Sequence, residues 1–534
     1  MYRSMDADPA NLPDDTQQLK ELITSFNKQL TESRETIHYL EERIRLLQNE
    51  IFGRKSEKYR PEDHRQLPLF ESRDSVQSPD GQSIENIIAV AAHQRKKRGR
   101  KPLSKDLPRI EIIHDLVEDE KVCSCGAALS RIGEDTCEKL DYVPAKIQVL
   151  RHIRYKYACK SCEGVEDDGP TVKIAPAPVA LIPKSNVTEG LLAHIVVSKF
   201  ADGLPLYRQE KIFVRMGVEL GRATMANWVV KAARICSPLY ELLHDEIRSG
   251  PLINMDESPL QVLNEPGRAN TSKSYMWVFC GGNPDHPTVL YRYEPTRSGA
   301  VALDFLDGYQ GYIQSDDYNG YDYLAKNQGI IQLGCWAHVR RKFFDVVKAR
   351  KKHRGKKDNP KGLADQALDY IGALYQIEKA IRSEQSSEQI YQYRQDRSKP
   401  ILNEFKAWLD AVEPLTPPKG LLGKAIGYAL KNWDKLTVYT ENALLKPDNN
   451  VAENAIRPFV VGRKNWLFAG HPNGAHASAT FFSLIESAKA NGLEPFAYLR
   501  CLFLKLPFVK EQSEYRQLLP QYIDPELVGR PVQY

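Results

Sequence analysis

The sequence predicts a multidomain α/β protein. With 534 residues the chain exceeds what one hydrophobic core ordinarily organises, so three or four units are expected. Five short β-like runs follow one another between residues 251 and 335, and stretches of helical periodicity precede and follow them. Hydrophobic residues at 42% and charged ones at 27% describe an ordinary folded protein and exclude a disordered or fibrous one.

The first element is helical. Ile23, Leu30, Ile37, Ile44 and Ile51 repeat on one seam position and Leu19, Phe26, Leu40 and Leu47 on the other, with only Ser33 breaking the register. Heptads sustained this long predict a parallel dimeric coiled coil, with an amphipathic helix folded onto its own subunit as the alternative. The polar, Pro- and Gly-bearing stretch that follows reads as a linker and ends in the basic run RKKRGRK, residues 95–101. There Arg98, Arg100 and Lys101 suit sequence-tolerant minor-groove contacts, or form a solvated charge run. The net charge of +5 is too small for polyanion binding to be read from the total. It must be read from such clusters, of which KARKKHRGKK at 348–357 is the second.

The N-terminus lacks the basic and apolar regions of a signal peptide, and no apolar run is long enough to span a bilayer, so a cytoplasmic protein with no membrane partner is expected. Nine cysteines in a chain of this length do not make a disulfide scaffold. Cys123 and Cys125, then Cys159 and Cys162, flank strand-like residues and form a four-thiolate Zn²⁺ pattern, with reduced structural thiols as the alternative. Cys137, Cys236, Cys280, Cys335 and Cys501 are expected in the core.

Residues Thr188 to Ser198 and Tyr207 to Arg215 read as helices, and a Met216-Gly217-Val218 turn leads to another near Thr224 to Ala233. This spacing suits a helix-turn-helix, whose second helix would carry Arg222, Asn227 and Lys231 towards a major groove.

From Pro251 the texture becomes β: LINMDESPLQVL, SYMWVFC, TVLYRYE, GYIQSDDY and GIIQLGC. Short turns predict an antiparallel meander for the first three, and longer segments predict crossovers before the last two. Asp256 falls within the first strand and Asp316 at the end of the fourth. Carboxylates on neighbouring strands can face one another and hold Mg²⁺, or Mn²⁺. Glu453, about one turn into a helix capped by Asp448 or Asn449, is the candidate third ligand, and Arg457, Arg463 and Lys464 follow it as candidate phosphate contacts.

Several long segments together carry a resemblance: IFGRKSEKY, LDYVPAKIQVLRHIRYKYAC, MDESP, QSDDYNGY, GCWAHVRRKFF, DNNVAENAIRPFVVGRKNWLFAG and SLIESAKANGLEP. In this order, over nearly the whole chain, they resemble the TnpC-type DDE transposases of the insertion-sequence sixty-six family. The resemblance implies a ribonuclease-H-like catalytic core with a helical insertion, a zinc element, and Asp256, Asp316 and Glu453 as the metal-binding catalytic triad. Sixty residues separate the first pair and 137 the second, which leaves room for the insertion. The family usually has Gly after its second Asp; Asp317 stands there, so either neighbour is a candidate ligand. Glu257 is a weaker rival, because strand alternation aims it away from Asp256, and so is Glu486.

His338, Arg341 and Lys342 lie about a turn apart on one helix, as candidates for the scissile phosphate or as ordinary surface and core positions. Trp336 and Trp466 are candidates to stack on an unpaired base, or core residues. The expected units are a coiled coil at 1–59, a basic linker at 60–104, a zinc-binding β element at 105–180 and a helical DNA-binding unit at 181–248. The core follows at 249–345, the helical insertion at 346–445, the rest of the core with Glu453 at 446–492, and a tail at 493–534. The expected activity is cleavage of element ends and strand transfer to target DNA in the bacterial nucleoid, by a homodimer or higher oligomer assisted by accessory proteins. The alternatives are a non-catalytic DNA-binding repressor derived from a transposase, and a nuclease that cuts without joining.

Overall fold

The computed structural model describes residues 15–52, 147–158, 172–316, 329–350, 361–381 and 385–529. The chain divides into two compact units, one of Met1–Glu71 with His152–Tyr534 and one of Ser72–Arg151. The second contains only residues 147–151 among those described, and they carry no regular structure. The first holds everything below.

Its centre is a mixed sheet. After α1 (Thr16–Phe52), a small antiparallel pair β1 (Lys156–Ala158) and β2 (Val172–Ile174), and helices α2 (Glu189–Phe200), α3 (Leu206–Arg215), α4 (Arg222–Ile235) and α5 (Ser237–Arg248), the chain enters β3 (Leu252–Val262). Strands β4 (Lys273–Asn283) and β5 (His286–Glu294) complete an antiparallel meander. The chain crosses through α6 (Gly299–Phe305) to β6 (Gly311–Gln314), which pairs parallel with β3, and then reaches β7 (Ile330–Leu333), parallel to β6. The strand order is β5-β4-β3-β6-β7. All five strands expected between 251 and 335 form, with the expected directions.

The sheet is buried on both faces because β4 is apolar on both. Met276 to Phe279 are fully buried, as a central strand between covering helices requires. Phe279 stacks on Phe305 of α6 at 3.6 Å between centroids. Tyr291 of β5 meets Phe482 on the opposite face at 5.2 Å.

The remaining helices are α7 (Trp336–Ala349), α8 (Leu363–Ala380), α9 (Ser387–Val412), α10 (Leu421–Lys431), α11 (Trp433–Thr437), α12 (Asn450–Trp466), α13 (Pro472–Ala490), α14 (Pro495–Lys505), α15 (Gln512–Gln517) and α16 (Pro525–Gly529). A two-residue strand β8 (Phe468–Ala469) pairs with the end of β3.

Helix α13 covers the edge strand β5 with side chains as well as bulk. The Ser483 hydroxyl accepts the Tyr291 amide at 2.8 Å, and the Ser487 hydroxyl both accepts from Val289 N–H and donates to its carbonyl at 2.9 Å. Edge groups that would otherwise template another strand are thereby satisfied. This is the local use of the SLIESAKANG segment.

Helices α8 to α11 form the insertion and share one core with α7, in which Trp336, Phe343, Ile371, Phe405 and Tyr439 are buried together. Leu368, Ile371 and Leu374 face this core, as their spacing requires. Buried Arg394 of α9 ties the helices of the insertion to one another. Its guanidinium makes a bidentate pair with Glu378 at 2.9 and 2.7 Å and donates to the carbonyls of Tyr439, Asn442 and Leu445, the segment that leads into α12.

Two expectations are adjusted. The two strands among the described residues of the zinc element, β1 and β2, pair with each other, β2 lying beyond the second cysteine pair, while residues 147–155 carry no regular structure. The helices at 181–248 are placed as expected, with Gly217 at φ +82° supplying the turn after α3. They do not stand apart, however: α2 and α4 pack on α13, and α2 also packs on α14. The apolar stripe of Met225, Trp228, Val229 and Ala232 is consumed in that packing.

Candidate active site

The sequence explains locally why three acidic residues reach one place. Asn254 pairs with Gln314 across the parallel β3/β6 ladder, so Asp256 and Asp316, each two residues further on, leave the same side of adjacent strands. Helix α12 starts at Asn450, which puts Glu453 in its first turn. A cleft of about 330 Å³ is lined by Asp256, Asp316, His338, Arg341, Asn449, Glu453, Ile456, Arg457 and Val460.

A buried amide network beneath the carboxylates fixes them. Asn254 Nδ2 donates to Gln314 Oε1 at 2.9 Å and to Asn449 Oδ1 at 3.0 Å. Asn449 Nδ2 donates to the Met255 carbonyl at 2.9 Å, and Gln314 Nε2 donates to the Gly334 and Lys446 carbonyls. These bonds tie β3, β6 and the start of α12 together one layer below the acids. Asn449 is the residue before the helix, as expected, but its side chain does not cap it. Asp448 accepts the Asn450 amide at 3.2 Å instead.

The electrostatics follow from burial and crowding. Burial pushes the Asp256 carboxyl up to about 7, reinforced by Glu257, Asp316 and Glu453. Burial also raises Glu453, against the opposing pull of Arg341 and Arg457. His338 is lowered to about 4 by burial and by Arg341 and Lys342, so its ring is neutral near pH 7. The donor set fits a hard divalent cation: three carboxylates from separate elements gather in one cleft, and Glu453 Oε1 is buried with no hydrogen-bond partner.

Of the other expected contacts, Arg341 lies 3.8 Å from Glu453 and is half exposed, and Arg457 lines the cleft. Lys342 instead places its ammonium over the Tyr428 ring of the insertion at 4.2 Å. Arg463 donates to the Ser258 hydroxyl and the Pro259 carbonyl, bracing β3. Lys464 is exposed, as are Arg222, Asn227 and Lys231 along α4. Trp336 is core, its indole N–H donating to the Leu436 carbonyl at 2.8 Å. Trp466 packs between Phe200 and Phe482, with Lys199 over its ring at 4.3 Å. Glu486 pairs with Lys489 at 2.9 Å, away from the cleft. Cys236, Cys280, Cys335 and Cys501 are buried free thiols, as expected. Asp317, Arg98, Arg100, Lys101, Cys123, Cys125, Cys137, Cys159 and Cys162 lie outside the described residues.

Glu257 points away from the cleft, as strand alternation expects. Arg297 nonetheless joins it to the site, pairing with the buried Glu257 carboxylate and reaching Asp316 Oδ2 at 3.6 Å. Arg297 sits in the turn between β5 and α6, and no periodicity or motif in the sequence singled it out.

Comparison with known proteins places this geometry in a family. A family model described as "Transposase IS66 family" matches residues 184–477, more than half of the chain and all of the cleft. The chain belongs to the IS66 transposase family. Further models of the same family match at 39–112 ("Transposase C of IS166 homeodomain"), at 120–163 ("zinc-finger binding domain of transposase IS66") and at 483–521 ("IS66 C-terminal element"). Among its relatives, the uncharacterized protein y4jD of Sinorhizobium fredii (strain NBRC 101917 / NGR234) is 34% identical over 500 residues, covering 91% of this chain and 92% of the relative. The uncharacterized protein y4qI of the same strain is 31% identical over 560 residues, covering 97% and 99%. Membership supports a transposase with a zinc-finger region and DNA as its partner. Among the described residues no helix is long and apolar enough to cross a membrane.

Proposed function

We propose that this protein is a DDE transposase that cleaves the ends of its element and joins them to target DNA, with Asp256, Asp316 and Glu453 as the catalytic acids. One observation carries the reading: these three carboxylates, from β3, β6 and α12, line a single cleft. The meander β3-β4-β5 with two parallel strands added beside β3 supports a ribonuclease-H-like core interrupted by the helical insertion.

Asp256, Asp316 and Glu453 would hold Mg²⁺ or Mn²⁺, which supplies activation of an attacking hydroxyl and neutralisation of the leaving oxygen. Asn254, Gln314 and Asn449 hold the backbone under the acids, so little reorganisation accompanies reaction. Arg341 and Arg457 stand at the cleft wall where a phosphodiester would enter, and their charge binds it without reading sequence. Arg297 holds Asp316 to one side through Glu257.

Outside the cleft, this reading assigns duplex contacts to the exposed Arg222, Asn227 and Lys231 of α4 and minor-groove contacts to Arg98, Arg100 and Lys101. The four cysteines Cys123, Cys125, Cys159 and Cys162 hold Zn²⁺ in this reading. Helix α1 docks on α7 and α10 through Tyr39, Glu42, Arg45 and Leu46: Arg45 Nε donates to the Ala349 carbonyl and Glu42 accepts the Leu421 amide, each at 3.0 Å. Its heptad seam faces away, with Ile23, Leu30, Ile37 and Ile44 each at least half exposed. That seam fits a second copy of α1, so that two subunits hold two DNA ends.

The test is cleavage and strand transfer on labelled element-end DNA with Mg²⁺ or Mn²⁺, using the parent, Asp256→Asn, Asp316→Asn and Glu453→Gln. Each substitution is expected to abolish both steps while DNA binding persists. A parent that binds ends but never cuts them, with accessory proteins supplied, would make the protein a binding protein. Cleavage without joining would make it a nuclease.

A further inference from the structure

One group in the cleft has no task in the mechanism above. His338 stands in the first turn of α7, opposite Glu453 in the first turn of α12. Its Nδ1 is buried and makes no hydrogen bond, and the same holds for Glu453 Oε1. The two atoms face each other at 3.8 Å, too far for a hydrogen bond. The other carboxylate oxygen, Oε2, faces Arg341. Two buried polar atoms left unpaired are costly, on the order of 1–3 kcal/mol each, and native sites seldom carry them without a ligand to satisfy both.

We infer that His338 is a nitrogen ligand to the cation held by Glu453, making the donor set mixed oxygen and nitrogen. The inference rests on the carboxylate reading of the cleft. Donors bound to one ion at roughly 2.0–2.2 Å can stand up to about 4.3 Å apart, and 3.8 Å falls inside that span. Cys335 belongs to the same cluster, with all three ligand atoms within 4.8 Å of one another. Its sulfur, however, already accepts the Asn449 amide at 3.3 Å. Cys335 therefore positions the start of α12, and His338 is the ligand. An imidazole donor shifts preference from Mg²⁺ towards Mn²⁺, because borderline ions gain more from nitrogen than hard ones do.

The experiment uses the full chain loaded with Mn²⁺ and reads electron spin echo envelope modulation, which detects ¹⁴N bonded to the ion. The parent is expected to show ¹⁴N modulation, and His338→Ala to lose it together with tenfold or more in Mn²⁺ affinity by titration. His338→Asp, which restores an oxygen donor, is expected to recover much of the affinity without the modulation. A parent spectrum without ¹⁴N modulation overturns the inference even if a variant fails to fold, and His338→Gln serves as a second variant for assigning the nitrogen. If Mn²⁺ binds in a manner dependent on Asp256 and Glu453 but without ¹⁴N modulation, or with modulation that survives His338→Ala, the inference is wrong and the carboxylate reading stands. If Mn²⁺ binding is unchanged in both Asp256→Asn and Glu453→Gln, the carboxylate reading falls as well.

Discussion

Replacing Asp256 by Asn should stabilise the protein while destroying its chemistry. In the folded state the Asp256 carboxyl is pushed from 3.8 up to about 7 by burial and by its acidic neighbours. The folded protein thus binds this proton more tightly than the unfolded chain. With respect to this group, stability is fully present below about pH 4 and is lost as pH rises through about 7. At 1.36 kcal/mol per pH unit, a displacement of about three units corresponds to about 4 kcal/mol at pH 8, and about half of that at pH 5. Asn keeps the shape and removes the charge, so without added Mg²⁺ or Mn²⁺ the variant should exceed the parent by about 2–4 kcal/mol at pH 8. The margin should shrink towards pH 5. The assay is thermal unfolding of both proteins at several pH values, where such a margin appears as a few degrees in the midpoint. Adding Mg²⁺ should then favour the parent alone, by about 2.7 kcal/mol at a hundred times its Kd. A variant no more stable than the parent at pH 8, or a margin flat in pH, would refute the claim that the cleft concentrates uncompensated charge.

Three other outcomes follow from particular contacts. Asn449→Ala removes a bond to the Met255 carbonyl and one from Asn254; it should cost about 2–4 kcal/mol in denaturant unfolding and weaken Mn²⁺ binding, whereas an unchanged Mn²⁺ affinity would deny the network its positioning role. Arg394→Met leaves the Glu378 carboxylate and three carbonyls without their donor, and should cost about 3–5 kcal/mol by the same measurement; a loss under 1 kcal/mol would show that the insertion is held by its apolar core alone. Ile37→Lys with Ile44→Lys, on the exposed seam of α1, should leave the melting temperature nearly unchanged and convert a dimer to a monomer by light scattering; a parent already monomeric at high concentration would remove the coiled-coil reading.

Much of this protein was legible in its sequence because the relevant signals are local. The five strands, the helices α2 to α4 and the insertion announce themselves through periodicity and turn residues. MDESP, QSDDYNGY and VAENAIRP place three acids within a strand, just past a strand's end and in a helix's first turn. What periodicity could not settle is which charged groups spend their charge inside the protein. Arg463 and Lys342 sit in basic segments that read as DNA contacts, yet one braces β3 and the other lies over Tyr428. Strand alternation turned Glu257 away from Asp256, and only a turn 40 residues later, carrying Arg297, connects it to Asp316. His338 was a candidate for the scissile phosphate by sequence, and only α7 and α12 set it against Glu453. The sequence determined the elements and the acids; the tertiary structure decided pairing, burial and unmet hydrogen bonds. Those depend on residues far apart in the chain, such as Asn254 and Asn449 or Glu42 and Leu421, and the short-range regularities of a chain carry no information about such contacts.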